Sequence, residues 1–259
     1  MSELQDRWRD PAFVAAAHAW IRDQVPSPVV GIEQTHVTDW STVMRVTTRL
    51  GTSWFKANDE SMRHEAAVTA FLAPRSGERV PRPQAHDSRT GWMLMTDMSP
   101  RLREVIAEDG SLARWHDALR GYAGIQIGCE DEVDELLALG LPDRRLVTLP
   151  GAYADLVAGL DDPDPRLPGP EAIEELCARL ASYGIRETVQ HDDLHDGQVF
   201  VPPHSHAHIL DWGDACVSHP FFTLAVTLEG VIAWGIDDVE DSEDLGPHLT
   251  AYLLSLIHI

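Results

Sequence analysis

Apolar positions along the first hundred residues change their period several times, and each change predicts an element. Val14, Ala17, Trp20 and Ile21 recur at helical spacing behind Asp10-Pro11, an N-cap residue followed by a first-turn proline, so the chain opens on a helix. From Val29 to Lys56 the pattern becomes β-branched alternation, with Trp40-Ser-Thr-Val-Met-Arg-Val46 leading to a turn at Gly51. Helical spacing returns over Met62–Leu72, and after Pro81-Arg-Pro83 an apolar strand, Gly91–Met98, ends in polar residues before Ser99-Pro100. Further on, Ser111 is placed to cap a helix carrying Leu112, Trp115, Leu119 and Tyr122, and helices follow over Glu130–Leu139, Ala152–Leu160 and Pro170–Ser182. Val199-Phe-Val201 and His208-Ile-Leu210 read as two short strands around an exposed turn. Strands before residue 98 and helices after it predict an α+β fold in two segregated lobes, 1–98 and 99–259. Internal repeats and low-complexity segments are absent.

Composition narrows the function classes. The chain of 259 residues is 44% apolar and 24% charged, which is ordinary for a globular protein. It contains no apolar run of the ~18 residues a membrane span needs, and its start, Met-Ser-Glu-Leu-Gln-Asp-Arg, lacks a secretory pattern, which predicts a cytoplasmic protein. Cys129, Cys177 and Cys216 are odd in number and widely spaced, suggesting neither disulfides nor a zinc site, and Cys177 lies on an apolar helical face. A net charge of −22 repels nucleic acid and anionic membranes and attracts cationic ligands. The clusters Asp161-Asp162-Pro-Asp164 and Asp237–Asp244 read as solvated loops.

The chemistry concentrates in Val189-Gln-His-Asp-Asp-Leu-His-Asp-Gly-Gln-Val-Phe-Val201 and Ile209-Leu-Asp-Trp-Gly213. Here Asp193, Gln198 and Asp211 stand five and then thirteen residues apart. That is the spacing of an ATP-dependent phosphotransferase, in which one carboxylate takes the proton of an attacking hydroxyl while an amide oxygen and a second carboxylate hold Mg²⁺ against the phosphates. Lys56 is the single lysine among 20 basic residues. In a chain that otherwise uses arginine, it marks a place for a compact point charge on a thin stem, suited to phosphates in a narrow cleft. Glu65 follows nine residues later in a helical run.

Together these residues resemble the aminoglycoside phosphotransferase and small-molecule kinase family, whose pattern runs His-Gly-Asp-Leu-His-x-Gly-Asn and then Asp-Trp/Phe-Gly. The resemblance implies a protein-kinase-like fold with a β-rich N-lobe and a mainly helical C-lobe, using ATP and Mg²⁺. It implies a Lys56–Glu65 pair at the phosphates, Asp193 as the base, Gln198 and Asp211 as metal ligands, and His191 bracing the metal loop from behind. Ser41 and Thr42 would supply hydroxyls to the glycine-free loop Asp39-Trp-Ser-Thr42 over the phosphates, and the Thr96 C=O and Met98 N–H would pair with adenine. Two departures stand out: Asp192 replaces glycine, and Gln198 replaces asparagine with roughly 1.5 Å more reach. The implied partner is a small molecule bearing a hydroxyl, such as an aminoglycoside, another antibiotic, a sugar or an amino alcohol, with oligomeric state open.

Only 48 residues follow Asp211, fewer than the family provides, so the C-lobe is expected to be cut short, leaving an apolar patch on a helix that begins near Phe221. The final Leu254-Ser-Leu-Ile-His-Ile259 also looks like translated sequencing adapter. Two rival readings stand beside the kinase. One is a catalytically weak nucleotide-binding module, suggested by Asp192 and Gln198. The other is a metal-dependent hydrolase built on His191, His195, His204, His206, His208 and His219 with Asp192, Asp193 and Asp196.

Overall fold

The computed structural model describes residues 3–236, 239, 240 and 242–257. The chain opens with a helical turn, α1 (Glu3–Asp6), a 3₁₀ turn over Arg7–Arg9, and α2 (Pro11–Gln24). Asp10 caps α2 as its sequence requires, its carboxylate accepting the N–H groups of Ala12 and Phe13 at 2.7 and 3.2 Å. Strands β1 (Val29–Val37), β2 (Ser41–Thr48) and β3 (Gly51–Asn58) follow, then α3 (Glu65–Leu72), β4 (Ala85–Asp87) and β5 (Trp92–Thr96). The five strands form one antiparallel sheet in the order β1-β2-β3-β5-β4. Because strand side chains alternate between faces, Met44, Val46, Phe55 and Ala57 all point to one side, where they are fully buried against Ala17 and Ile21 of α2. Val43, Lys56 and Met93, mutually paired across the strands, take the opposite face. This alternation aims the lysine at Glu65 of α3 and at Asp211.

The remainder is mainly helical: α4 (Leu102–Asp109), α5 (Trp115–Ile127), α6 (Val133–Ala138), α7 (Leu149–Ala158) and α8 (Pro170–Ala181). Helix α4 was not expected from the sequence. Glu104 accepts the N–H of Arg101 at 2.9 Å at its start, and Gly110 closes it in the left-handed conformation (φ 64°). Ser111 does not cap α5; its hydroxyl accepts from Ala113 N at 3.2 Å in a separate turn, and the helix begins four residues later. Trp115, Leu119, Tyr122 and Ile125 are buried at the centre of the larger core. Cys129, Cys177 and Cys216 are buried free thiols.

Two short strand pairs and their connecting turns then carry the motif region. Strand β6 (Thr188–Gln190) pairs antiparallel with β9 (Cys216–Ser218), and β7 (Val199–Phe200) with β8 (His208–Ile209). The hairpin turn between β7 and β8 is exposed through residues 203–206. The single helix expected from Phe221 is instead α9 (Phe222–Leu224), a π-helical turn over Ala225–Glu229 and a 3₁₀ turn over Ile232–Trp234. A Cβ at Gly230 would lie 2.7 Å from the Val226 carbonyl oxygen, so the widened turn closes only on glycine. Within this stretch Leu224, Leu228, Ile232 and Ala233 are buried, whereas Trp234 and Ile236 are exposed. Helix α10 (Gly246–Ile257) packs against α5 through Tyr252, whose hydroxyl donates to the Pro220 carbonyl at 3.0 Å. Of the acidic loops, 161–164 is exposed; Asp237, Asp238 and Asp241 lie outside the described residues. Among the described residues no helix is long and apolar enough to cross a membrane.

Candidate active site

Lys56 projects from the middle of β3 and meets two carboxylates. Its Nζ lies 2.8 Å from Glu65 Oε2, at the start of α3, and hydrogen-bonds Asp211, which follows β8. Burial opposes the charge on Lys56, but Asp211 and Glu65 outweigh it and hold the ammonium well above its ordinary pKa. Asp211 is driven the other way: burial pushes its carboxyl up, and Lys56 pulls it further down, below the usual carboxylate range. Glu65 is almost wholly buried and also accepts from the Asn58 amide, which lies two residues beyond Lys56 and hence on the same strand face. Asn58 donates in addition to the Met62 carbonyl at 3.1 Å, tying the strand to the approach of α3. The approach is close: a Cβ at Gly213 would lie 3.3 Å from Glu65 Oε2 and 3.4 Å from Met62 Sδ, so a side chain there would press on the Glu65 carboxylate.

The loop between β6 and β7 supplies the remaining groups. His191 is fully buried; its ring packs on Trp212 at 4.7 Å, and Nε2 lies 2.7 Å from the Leu210 carbonyl, directly before Asp211. Burial lowers its pKa, so a neutral ring donates from Nε2 and supports the Asp211 loop from inside. Asp211 itself has a left-handed backbone (φ 66°) directly before the 3₁₀ turn Trp212–Asp214. Asp193 opens to the cleft, with Gln198 Nε2 3.4 Å and His195 Nε2 3.5 Å from its Oδ2. Gln198 also helps to hold the Asp211 carboxyl below the usual range, after the larger effect of Lys56. Asp214 completes an acidic rim; burial, and then Asp193 and Asp211, push its carboxyl above the ordinary range.

The substituted glycine position has a clear local account. Asp192 adopts a left-handed conformation (φ 65°), where glycine is the unstrained residue and aspartate is among the better-tolerated alternatives. Its N–H donates to Thr223 Oγ1 at 3.3 Å, and its carboxylate meets Arg144 Nη1 at 3.3 Å, outside the cluster around Lys56.

Not every expected residue joins this cluster. Thr42 is fully buried on the sheet face away from Lys56, its hydroxyl donating to the His36 carbonyl at 2.9 Å and accepting from Gln34 at 2.8 Å. Strand alternation decides this: Thr42 pairs with Ala57, whereas Ser41 pairs with Asn58 and takes the cleft side. Ser41 is itself buried and closes the β1–β2 turn against Thr38, its N–H reaching Thr38 Oγ1 at 2.9 Å. Thr96 ends β5 opposite Ser53, and the Asp97 N–H beyond it donates to the Thr52 carbonyl at 3.3 Å; Met98 follows, half-buried. Trp54 shares the cleft face with Lys56 and donates from its indole to Asp97 at 3.2 Å.

The six histidines of the hydrolase reading do not converge. His191 braces Leu210, His195 turns to Arg103, His208 bonds the Glu78 carbonyl at 2.8 Å, His219 packs on Phe221, and His204 and His206 lie on the exposed turn. Among the described residues no group of three His, Cys, Asp or Glu side chains forms a metal-holding cluster. Sequence reasoning overlooked Asn58, Asp214 and Arg103. Asn58 was findable from the two-residue strand period; Arg103 stands 92 residues from His195, and nothing local announces it.

A family model described as a phosphotransferase enzyme family matches residues 36–255. No curated protein sequence matches the chain. Among solved structures, the macrolide 2′-phosphotransferase MphH from Brachybacterium faecium superposes with a TM-score of 0.59 at 18% identity, covering 93% of this chain and 83% of that one. Choline kinase LicA from Streptococcus pneumoniae gives 0.59 at 13%, over 95% and 80%. The GDP complex of aminoglycoside 2′-phosphotransferase-IIIa gives 0.56 at 16%, over 93% and 87%. At these identities the likeness is one of fold, the two-lobed arrangement of kinase-like phosphotransferases. With its family match running from β1 to α10, the chain belongs to the APH family of phosphotransferase enzymes.

Proposed function

We propose that this phosphotransferase moves the γ-phosphoryl group of ATP to a hydroxyl of a small molecule. The observation that carries the reading is the Lys56 ammonium lodged between Glu65 and Asp211, with the Asp193 carboxylate open in the adjoining loop. An ammonium held charged in a cleft suits a polyanion, and a carboxylate at the cleft edge suits the hydroxyl that attacks it. Lys56 binds the α- and β-phosphates, Glu65 fixes Lys56, and Asp193 orients the acceptor and takes its proton. Ser41 closes the turn above the phosphates, and the backbone of Thr96 and Met98 meets the adenine edge. Residues 1–98 act as the nucleotide lobe and 99–259 as the lobe that brings the acceptor.

The donor set around Asp211 fits a hard cation. A carboxylate and a neighbouring amide side chain offer oxygen ligands of the kind Mg²⁺ selects. Asp211 and Gln198 would hold the ion, which when bound would neutralise charge on the β- and γ-phosphates. For the acceptor, a net charge of −22 and the carboxylates of Asp193 and Asp214 favour a molecule carrying amino groups. The names of the similar structures suggest the panel to test: macrolides, aminoglycosides and choline-like amino alcohols. The deciding experiment is acceptor-stimulated ADP release across that panel, with sugars as neutral controls. Stimulation by one class with a phosphorylated product supports the reading. Nucleotide binding without stimulation by any acceptor would instead favour the weak nucleotide-binding module that Asp192 and Gln198 suggest.

A further inference from the structure

We propose that His195 is a positioning residue for Asp193, held in one tautomer by Gly197 and Arg103. This rests on the reading of Asp193 as the carboxylate that receives the acceptor. His195 Nδ1 lies 3.0 Å from the Gly197 backbone nitrogen and 3.0 Å from Arg103 Nη2. A backbone amide and a guanidinium can only donate at these atoms. Nδ1 is therefore the lone-pair nitrogen, and the proton of the neutral ring sits on Nε2. Nε2 lies 3.5 Å from Asp193 Oδ2, not a formed hydrogen bond but a separation that substrate binding can close, as is common for catalytic pairs.

The donors are themselves fixed. Arg103, in the first turn of α4, donates from its backbone to the Asp196 carbonyl at 3.3 Å and from Nη2 to Asp196 Oδ1 at 2.9 Å. Asp196 also approaches His195 Nδ1 at 3.6 Å. A Cβ at residue 197 would lie 2.2 Å from Arg103 Nη2 and 2.7 Å from His195 Cε1, so a side chain there would displace the guanidinium and the ring from this arrangement. Asp193 Oδ2 is thus faced by two N–H groups, from His195 and Gln198, which hold the carboxylate plane while its other oxygen meets the acceptor. A helix far away in sequence thereby sets the orientation of the carboxylate in the catalytic loop.

The test uses the whole protein, with ATP turnover in water or with any acceptor the panel yields. His195→Ala and His195→Asn, which lose the Nε2 donor, should lower kcat about tenfold, the scale of one hydrogen bond to a charged group, with the nucleotide KM within about twofold. His195→Gln, whose amide reaches the Nε2 position, should recover most of that loss. In an Asp193→Asn background, His195→Ala should cost nothing further. Imidazole ¹⁵N spectra should show His195 as the Nε2–H tautomer, and Arg103→Lys should mix the tautomers without unfolding the chain. Thermal melting of each variant keeps a folding defect apart from a positioning one. A raised nucleotide KM with kcat intact would make His195 a phosphate contact and overturn the proposal. So would an additive loss in the Asp193→Asn background, or equal losses in the Gln and Ala variants. Near-normal turnover by Asp193→Asn alone would instead show that the underlying reading of Asp193 has failed.

Discussion

Lys56 on β3 and Asp211 after β8, 155 residues apart, form a hydrogen-bonded ion pair that joins the sheet to the motif loops. Glu65 accepts the same ammonium at 2.8 Å from a position that is 1% exposed, so removing the lysine strands two carboxylates together. Lys56→Met should therefore cost about 3 kcal/mol, the low end of the range for breaking a buried pair, because Glu65 can take up a proton. Lys56→Arg should keep most of that stability yet lose the nucleotide-induced rise in Tm, since a guanidinium does not fit a place built for an ammonium. Urea unfolding and nucleotide thermal shifts check both arms.

Asp193→Asn keeps size and polarity but removes the charge proposed to orient the acceptor. Turnover should fall by about 10²–10⁴-fold, the range for a lost acid–base group, with nucleotide affinity unchanged. Steady-state kinetics alongside direct nucleotide titration would measure this, and near-normal phosphorylation would remove Asp193 from the role.

Gln198 donates to Asp193 at 3.4 Å and has one methylene more than the asparagine of the family pattern. Mg²⁺ demands near-ideal octahedral geometry, whereas Mn²⁺ is larger and more forgiving. Gln198→Asn should raise the Mg²⁺/Mn²⁺ activity ratio. An unchanged or lower ratio would mean that Gln198 is not a ligand or is already well placed.

Asp192 tests the cost of a side chain at φ 65°. Asp192→Ala loses the Arg144 contact and keeps the strained backbone, and should destabilise by about 1–2 kcal/mol. Asp192→Gly relieves the strain at the expense of unfolded-state entropy, and should be close to neutral. Denaturant midpoints ordered Ala below Gly would support this account; the reverse order would show that unfolded-state entropy outweighs the backbone strain.

Asp214 supplies a pH signature. Its folded pKa is raised by burial and by Asp193 and Asp211, so folding favours its protonated form. Below the ordinary carboxylate pKa of about 3.9 both states are protonated and nothing is lost. As pH rises through the folded pKa the fold acquires a repulsion that persists at neutrality. Asp214→Asn should accordingly raise Tm at pH 7, by no more than about 3 °C for an open site, and the gain should shrink as pH falls towards 4. A gain that is constant with pH would point to a cause other than charge.

Much of this protein is legible along the chain. Helix α2 and its Asp10 cap, strands β1–β3, the β7–β8 hairpin and helix α8 follow from periodicities and caps that act over a few residues. The spacing of Asp193, Gln198 and Asp211 was equally visible, because a loop and a hairpin of set length carry them. Local chemistry was less decisive where neighbours compete. Ser111 has the composition of a cap, but a nearer turn takes its hydroxyl, and the run from Phe221 has helical character that Gly230 and a widened turn divide.

The sequence alone determined which residue types were present for phosphoryl transfer and in what order, since that depends on covalent spacing and strand period. Tertiary structure decided what each could touch. Thr42 lost its expected place because its partner strand put it on the buried face, while Asn58 gained one beside Glu65. Lys56 met Asp211, and Arg103 met His195, only when segments 155 and 92 residues apart were packed together. Such pairings are set by how whole elements bury their apolar faces, and no short stretch of the chain encodes them.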